Sequence, residues 1–531
     1  MKWLKVILLI SLVNIGYGQR IITEDRLTLD RIFDSRDFVP DWLPPYKWLA
    51  GGSYFTTIEY NEKGNSELIS YRSETGEKNT LISDQLLRTS SGQPIVIEDY
   101  YWSADEKKIL IFTNSERVWR TNTRGDYYVL NLESKQIYQL GEGLPLSSLM
   151  FAKFNPQGTM VAYVSQHNLY QENLETREIQ QLTTDGSEGI INGTFDWAYE
   201  EEFFCKDGFR WSPDGNSIAY WQIDANETKN FYLINNTSSI YSQVIPIQYP
   251  KVGQKPSSAK IGILDIPSKT TQWIDLPGEP YEHYLPRMQW LTPTNTLLIT
   301  QLSRKQNHLT LWTVDRTSMT PDKVYEEESD TWIDIVNIDV SAAWEVEDQV
   351  SLDQGNSFLW MSDKDGWRHL YRINVKDKQV ELLSTGAFDI ASVKGINTKE
   401  NLIYVIASPD NSTQRYLYAI NTTNKSYERI TPTNYSGLNN YDISPNGNFA
   451  VFEHDQSNDP GQTFFISLPD HLLKDTLITN DHFRKSLDAI KLPEVEFFKI
   501  TTEDGVEMDG KMIKPLNFSK SKKYPVLFYV Y

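Results

Sequence analysis

The chain has 531 residues, a net charge of −20 and hydrophobic residues at 39%. That length holds roughly two to four average domains, or one large repeat domain with a companion, and aromatics at 13% supply enough apolar area to keep the bulk of the chain out of the disordered class. The acidic balance repels phosphate backbones and sets nucleic acid aside as a partner; a single cysteine, Cys205, sets aside an internal disulfide.

The N-terminus reads as an export signal. Lys2 and Lys5 precede the apolar run Val6 to Val13, and Gly16-Tyr17-Gly18 puts small residues before Gln19. The run is too short for a membrane-spanning helix, so residues 1–18 are expected to be a cleaved signal, with a periplasmic or secreted protein and no transmembrane anchor. Residues 19–45 form a separate N-terminal segment, with a short helix from Leu27 to Phe38 that Pro40, Pro44 and Pro45 end.

Residues 46–488 are uniform. Short alternating strands recur, clearest at Ile109 to Thr113, Met160 to Val164, Ser217 to Trp221, Thr296 to Gln301 and Phe449 to Glu453. A degenerate turn precedes them: Trp211-Ser212-Pro213-Asp214-Gly215 is its cleanest copy, Phe154-Asn155-Pro156-Gln157-Gly158 and Ile443-Ser444-Pro445-Asn446-Gly447 are others, and those beginning at Trp102 and Trp290 are weaker. Proline presets the turn, Asp or Asn caps it and glycine takes the positive φ. Other strands run out through an Asn, as at Asn131 and Asn374. All-strand repetition at roughly 50–80 residues indicates propeller blades rather than an array of sandwiches.

From Pro493 the texture changes. Met508 to Ile513 and Tyr524 to Tyr531 read as further strands, the last apolar without alternation, as in a strand buried on both faces of an α/β sheet. Residues 489–531 are therefore expected to open an α/β domain that this chain does not complete. Cys205, between aromatics and a lysine, is expected to be buried packing. None of the seven histidines sits in a zinc-binding pattern, and no cofactor or metal is implied.

One segment stands out as a site: Asp196-Trp197-Ala198-Tyr199-Glu200-Glu201-Glu202-Phe203-Phe204, three carboxylates between aromatics. On a helix, Glu201 would share a face with Trp197 and Phe204, and a carboxylate on an apolar face needs a cation or a hydrogen-bond donor. This segment, with Trp211 to Gly215, Gln248 to Gly253, Asp365 to Tyr371 and Lys522 to Leu527, resembles the dipeptidyl peptidase IV family of serine exopeptidases. The resemblance implies a mostly β chain: an eight-bladed β-propeller followed by the first strands of an incomplete α/β-hydrolase domain, on which residues 19–45 would pack. It implies oligopeptide substrates with a free N-terminus, release of Xaa-Pro or Xaa-Ala dipeptides, and room for a homodimer of the full-length enzyme. By position, Glu201 and Glu202 would bind the substrate ammonium in a cavity, Arg120 would contact a substrate carbonyl, and Tyr531 would help form the oxyanion hole. A G-x-S-x-G nucleophile motif is absent from the 531 residues, as are the triad partners that would follow it. No residue between Ala342 and Val350 matches the family's specificity loop. A propeller that binds peptides or glycans without catalysis is the alternative; an endopeptidase of the prolyl oligopeptidase type would have no ammonium for two glutamates to hold.

Overall fold

The structure, a computed structural model, describes residues 27–335, 351–457 and 459–530. The expectations for residues 1–18, for the loop from Ala342 to Val350 and for Tyr531 lie outside the described residues. The chain divides into two compact units, one of residues 42–455 and 462–478, the other of residues 1–41, 456–461 and 479–531.

Eight antiparallel blades follow one another at residues 46–82, 99–139, 149–181, 190–273, 283–328, 351–382, 390–429 and 438–478, numbered 1 to 8 here, and all but residues 456–461 of them belong to the larger unit. Within most blades the strands lie in sequence order, so hairpins make nearly every connection. Every copy of the turn motif falls at one place, between the first and second strands of a blade. In blade 4, Ser212 Oγ donates to Asp214 at 2.6 Å and accepts the Ser217 N–H at 3.0 Å, while Gly215 takes φ +68°. In blade 8, Ser444, Asn446 and Gly447 repeat the arrangement at 2.8 Å, 3.0 Å and φ +71°. The Asn run-outs mark the turn from third to fourth strand: Asn131, Asn173, Asn374 and Asn421 each accept two backbone N–H groups within 3.1 Å.

Apolar side chains fill the seams between neighbouring blades. Leu68, Tyr100 and Ile109 join blades 1 and 2, and Tyr404, Phe452 and Phe464 join blades 7 and 8. Phe55, Val451 and Phe465 bring blade 8 back to blade 1, where Trp48 Nε1 donates to Asp442 at 2.9 Å and Asn446 Nδ2 to the Gly51 carbonyl at 2.9 Å. No strand is shared across this last seam among the described residues, so side chains alone close the ring.

Two devices position the site. The second and third strands of blade 2 run on as a long hairpin, Lys108–Val118 and Thr121–Asn131, past an irregularity between Thr113 and Glu116, where Asn114 has φ +49°. Such a bulge bends the ribbon and re-aims its tip. In blade 4 the innermost position is split between two short strands, Ile190–Asn192 and Phe209–Trp211, both paired with Ser217–Asp224. The chain between them is free to form a helix.

In the smaller unit, helix α1 (Leu29–Phe33) is shorter than the Leu27 to Phe38 expected. Thr28 caps its start, and Ser35 Oγ donates to the Arg31 carbonyl and accepts the Asp37 N–H, turning the chain out of the helix. The strand expected from Met508 is present as Glu507–Ile513, paired with Val495–Thr501. The strand expected from Tyr524 is not: residues 524–530 pair with none of the described residues, and Val526 to Val530 are exposed. An apolar sequence supplies the faces of a buried strand but not the neighbours its N–H and C=O groups need.

Candidate functional site

The acidic segment folds as helix α2 (Trp197–Phe203) between the two half-strands of blade 4. Asp196 caps it, accepting the Tyr199 N–H at 3.1 Å and the Ser257 hydroxyl at 2.7 Å. Phe204 ends it in the left-handed region at φ +57°. The face the helix buries is Tyr199 and Phe203, four residues apart, packed against Phe195 and Tyr284. This corrects the expected face of Trp197, Glu201 and Phe204. Phe204 is 72% exposed, because a left-handed cap leaves the helical period on which that expectation rested. Trp197 packs instead on Tyr249, with ring centroids 4.3 Å apart.

The buried face anchors α2 to blade 5. Tyr199 Oη accepts the Leu285 N–H at 3.2 Å, the Leu285 carbonyl accepts from Trp221 Nε1 at 2.8 Å, and Cys205 Sγ donates to the Pro286 carbonyl at 3.2 Å. Burial pushes the Cys205 thiol up to about 11, as suits a packed cysteine and not a nucleophile.

Arg120 sits at the tip of the blade 2 hairpin. Trp119 takes φ +49° there, and Val118 and Thr121 close the turn. The tip reaches α2: the Arg120 guanidinium forms an ion pair with Glu201, across 81 residues of sequence. Glu201 is half-buried and Glu202 exposed. Glu202 stands on the side of Tyr284, whose hydroxyl burial raises, Arg304 opposing and Glu202 adding to the shift. Arg120 is thus brought to Glu201, with Glu202 the next residue on the helix.

Glu200 is the residue that sequence reasoning passed over. Desolvation raises its carboxyl pKa, while Lys206 and a hydrogen bond from the Arg120 backbone N–H lower it. One of its oxygens is fully buried without a hydrogen-bond partner. The cavity of about 290 Å³ beside α2 is lined by Glu200 and Trp197, and Glu201 and Glu202 are not among its lining residues. Successive residues on a helix point about 100° apart, so the three glutamates face three different directions and do not all line the same space. The periodicity carried that signal; the identity of the neighbours did not.

Among the described residues, no group of three His, Cys, Asp or Glu side chains is placed to hold a metal ion, and no helix is long and apolar enough to cross a membrane.

Comparisons with known proteins agree with one another. The profile of the family described as "Dipeptidyl peptidase IV (DPP IV) N-terminal region" matches residues 103–461. The chain is 25% identical over 442 residues to the dipeptidyl peptidase 4 of Trichophyton rubrum, covering 82% of this chain and 56% of that protein. It is 24% identical over 529 residues to the dipeptidyl-aminopeptidase B of Aspergillus niger, covering 92% and 58%. It therefore spans little more than half the length of these relatives. The crystal structure of Porphyromonas gingivalis dipeptidyl peptidase 4 superposes with a TM-score of 0.85 at 22% identity, over 94% of this chain and 69% of that one. With the family match spanning four of the five sequence segments quoted above and most of the blades, the chain belongs to the dipeptidyl peptidase IV N-terminal-region family.

Proposed function

We propose that this chain is the substrate-recognising portion of an exported serine exopeptidase that releases Xaa-Pro or Xaa-Ala dipeptides from oligopeptides. The observation that carries the reading is the pairing of Arg120, at the hairpin tip of blade 2, with Glu201 of blade 4, next to Glu202 in the chain. Two carboxylates and one guanidinium match the two ends of a dipeptide unit: an ammonium for Glu201 and Glu202, and a carbonyl for Arg120. Charge-assisted hydrogen bonds of this kind contribute roughly 1.5–3 kcal/mol each. A group that holds the free amine also counts residues from the N-terminus, which is what an exopeptidase requires. Tyr531 is proposed for the oxyanion hole by resemblance alone. The compartment proposed is the periplasm or the extracellular space, from the charge and hydropathy order of residues 1–18.

With no G-x-S-x-G motif in its sequence, the chain by itself is expected to bind and not to cleave. Titration calorimetry with Ile-Pro-amide should show binding that N-acetylation of the ligand abolishes. Glu201→Ala and Glu202→Ala should each weaken it by about tenfold or more while the far-ultraviolet spectrum stays unchanged. Equal binding of the acetylated ligand, or unaltered binding by both variants, would overturn the proposal. Steady release of chromophore from a Gly-Pro anilide by the purified chain would refute the expectation of inactivity.

A further inference from the structure

The cavity beside α2 has a different character from the paired site of Arg120 and Glu201. Trp119, Phe151, Phe195 and Trp197 give it aromatic walls, and Glu188, Asp196 and Glu200 put three carboxylates on its lining against the single ammonium of Lys206, Asp196 being engaged by Ser257 and the Tyr199 N–H. His167, also on the lining, has its pKa lowered, chiefly by burial, and adds no positive charge at neutral pH. Glu200 has a buried carboxylate oxygen without a hydrogen-bond donor. Buried charged oxygens are rarely left so, and Glu200 is itself half-buried on the cavity lining, so its carboxylate is an anionic group of that space that the protein leaves incompletely satisfied. At about 290 Å³ the space is at the lower end of the range for small-molecule sites.

We propose that this cavity is a second binding site, for a small arylalkyl ammonium ion: an aromatic ring held among the tryptophans and phenylalanines, and a charged amine paired with the Glu200 carboxylate on the lining. Aromatic walls attract both a ring and an adjacent cation, and the surplus carboxylate compensates the ligand's charge. Trp119, on the same lining, precedes Arg120 at the hairpin tip, so a ligand here would lie against the hairpin that carries Arg120. The site does not depend on the dipeptide reading, since neither Glu201 nor Glu202 lines it.

Tryptamine is the probe, with 3-ethylindole as its uncharged counterpart, measured by calorimetry and ligand-observed NMR on the whole chain. Tryptamine should bind, and 3-ethylindole should bind at least about tenfold more weakly, the scale of one lost charge-assisted contact. Glu200→Gln should weaken tryptamine by a similar factor. Asn230→Trp, at an exposed position on the cavity rim, should abolish binding with the thermal midpoint unchanged. Glu202→Gln should leave tryptamine binding within about twofold, because its carboxylate belongs to the other site. The proposal is overturned by no binding at millimolar tryptamine, by equal binding of 3-ethylindole, or by indifference to both Glu200→Gln and Asn230→Trp. A loss on Glu202→Gln as large as that on Glu200→Gln would place the amine in the paired site and overturn it as well.

Discussion

Glu172 shows how much rests on single polar groups in the seam between blades 2 and 3. Its side chain is fully buried, and its carboxylate accepts from Arg177 Nε at 3.0 Å and from the Gly141 N–H at 3.0 Å. Arg177 reaches back to blade 2, donating to the Gln139 carbonyl at 3.0 Å and lying 3.3 Å over the Tyr138 ring. Desolvation still raises the Glu172 carboxyl pKa above its ordinary value of 4.5. The folded chain therefore holds this proton more tightly than the unfolded chain, and stability falls as pH rises from the ordinary carboxyl value through the folded one. Arg177→Met removes a group that lowers that pKa, so the folded value moves further up and the window widens. At pH 8 the variant keeps an unpaired buried carboxylate, at a cost of about 3–5 kcal/mol; near pH 5 protonation relieves part of it. The expected outcome is a drop in melting temperature that is clearly larger at pH 8 than at pH 5. An equal drop at both would show that lost packing of the arginine, and not charge, is responsible. Nothing in the sequence marks Glu172, because its partners come from another blade and from a turn, and alternation in a strand does not say which polar residue faces a seam.

Among the elements, those fixed by local chemistry were legible and those fixed by neighbours were not. The Ser-Pro-Asp-Gly and Asn-run turns could be read because each satisfies its own backbone groups within five residues, whatever surrounds it. Glu201, Glu202 and Arg120 are singled out by family resemblance; composition and spacing alone do not mark Arg120 or separate Glu201 and Glu202 from Glu200. The face of α2 was misread because its C-terminal cap is left-handed, and the strand from Tyr524 because pairing is not a property of one strand. The helix remains the element on which the site depends, and its cap is the test. Asp196→Ala removes the acceptor for the Tyr199 N–H and for Ser257 together, and leaves a buried helix start unsatisfied. The loss should be about 1–2 kcal/mol, read as a lower melting temperature, with weaker binding of Ile-Pro-amide because Glu201 and Glu202 ride on the same seven residues. Asp196→Asn, which keeps an acceptor for the cap, should recover most of both. If Asp196→Ala melts lower but binds the dipeptide normally, the buried anchor of Tyr199 and Phe203 is sufficient to place the glutamates, and the cap serves stability alone.

At the scale of the whole ring, the seam between blades 8 and 1 differs in kind from its neighbours in sequence. Blades that follow one another are tethered directly by the chain, and blades 2 and 3 also share strand pairing at Arg124–Met150 and Gly125–Leu149. Blades 8 and 1 stand nearly four hundred residues apart in sequence and have only side chains to hold them. Phe465 is at the centre of that contact, 3% exposed, 5.5 Å from the Phe55 ring, 6.0 Å from Trp48 and stacked on Phe449. Removing a buried phenylalanine costs about 3–5 kcal/mol through lost transfer energy and the cavity left behind. At most seams such a loss lowers stability while the chain still holds the blades in order. At this one it also weakens the contact that makes the ring closed. Phe465→Ala is therefore expected to raise tryptic cleavage at exposed Lys78 in blade 1 and Lys474 in blade 8 well before global unfolding, while blades 4 and 5 stay protected. Phe358→Ala, at a buried position in blade 6, is the matched control: a comparable loss of stability without selective cleavage in blades 1 and 8. Should both variants give the same cleavage pattern, opening follows overall stability, and the eighth seam has no special part in keeping the ring shut.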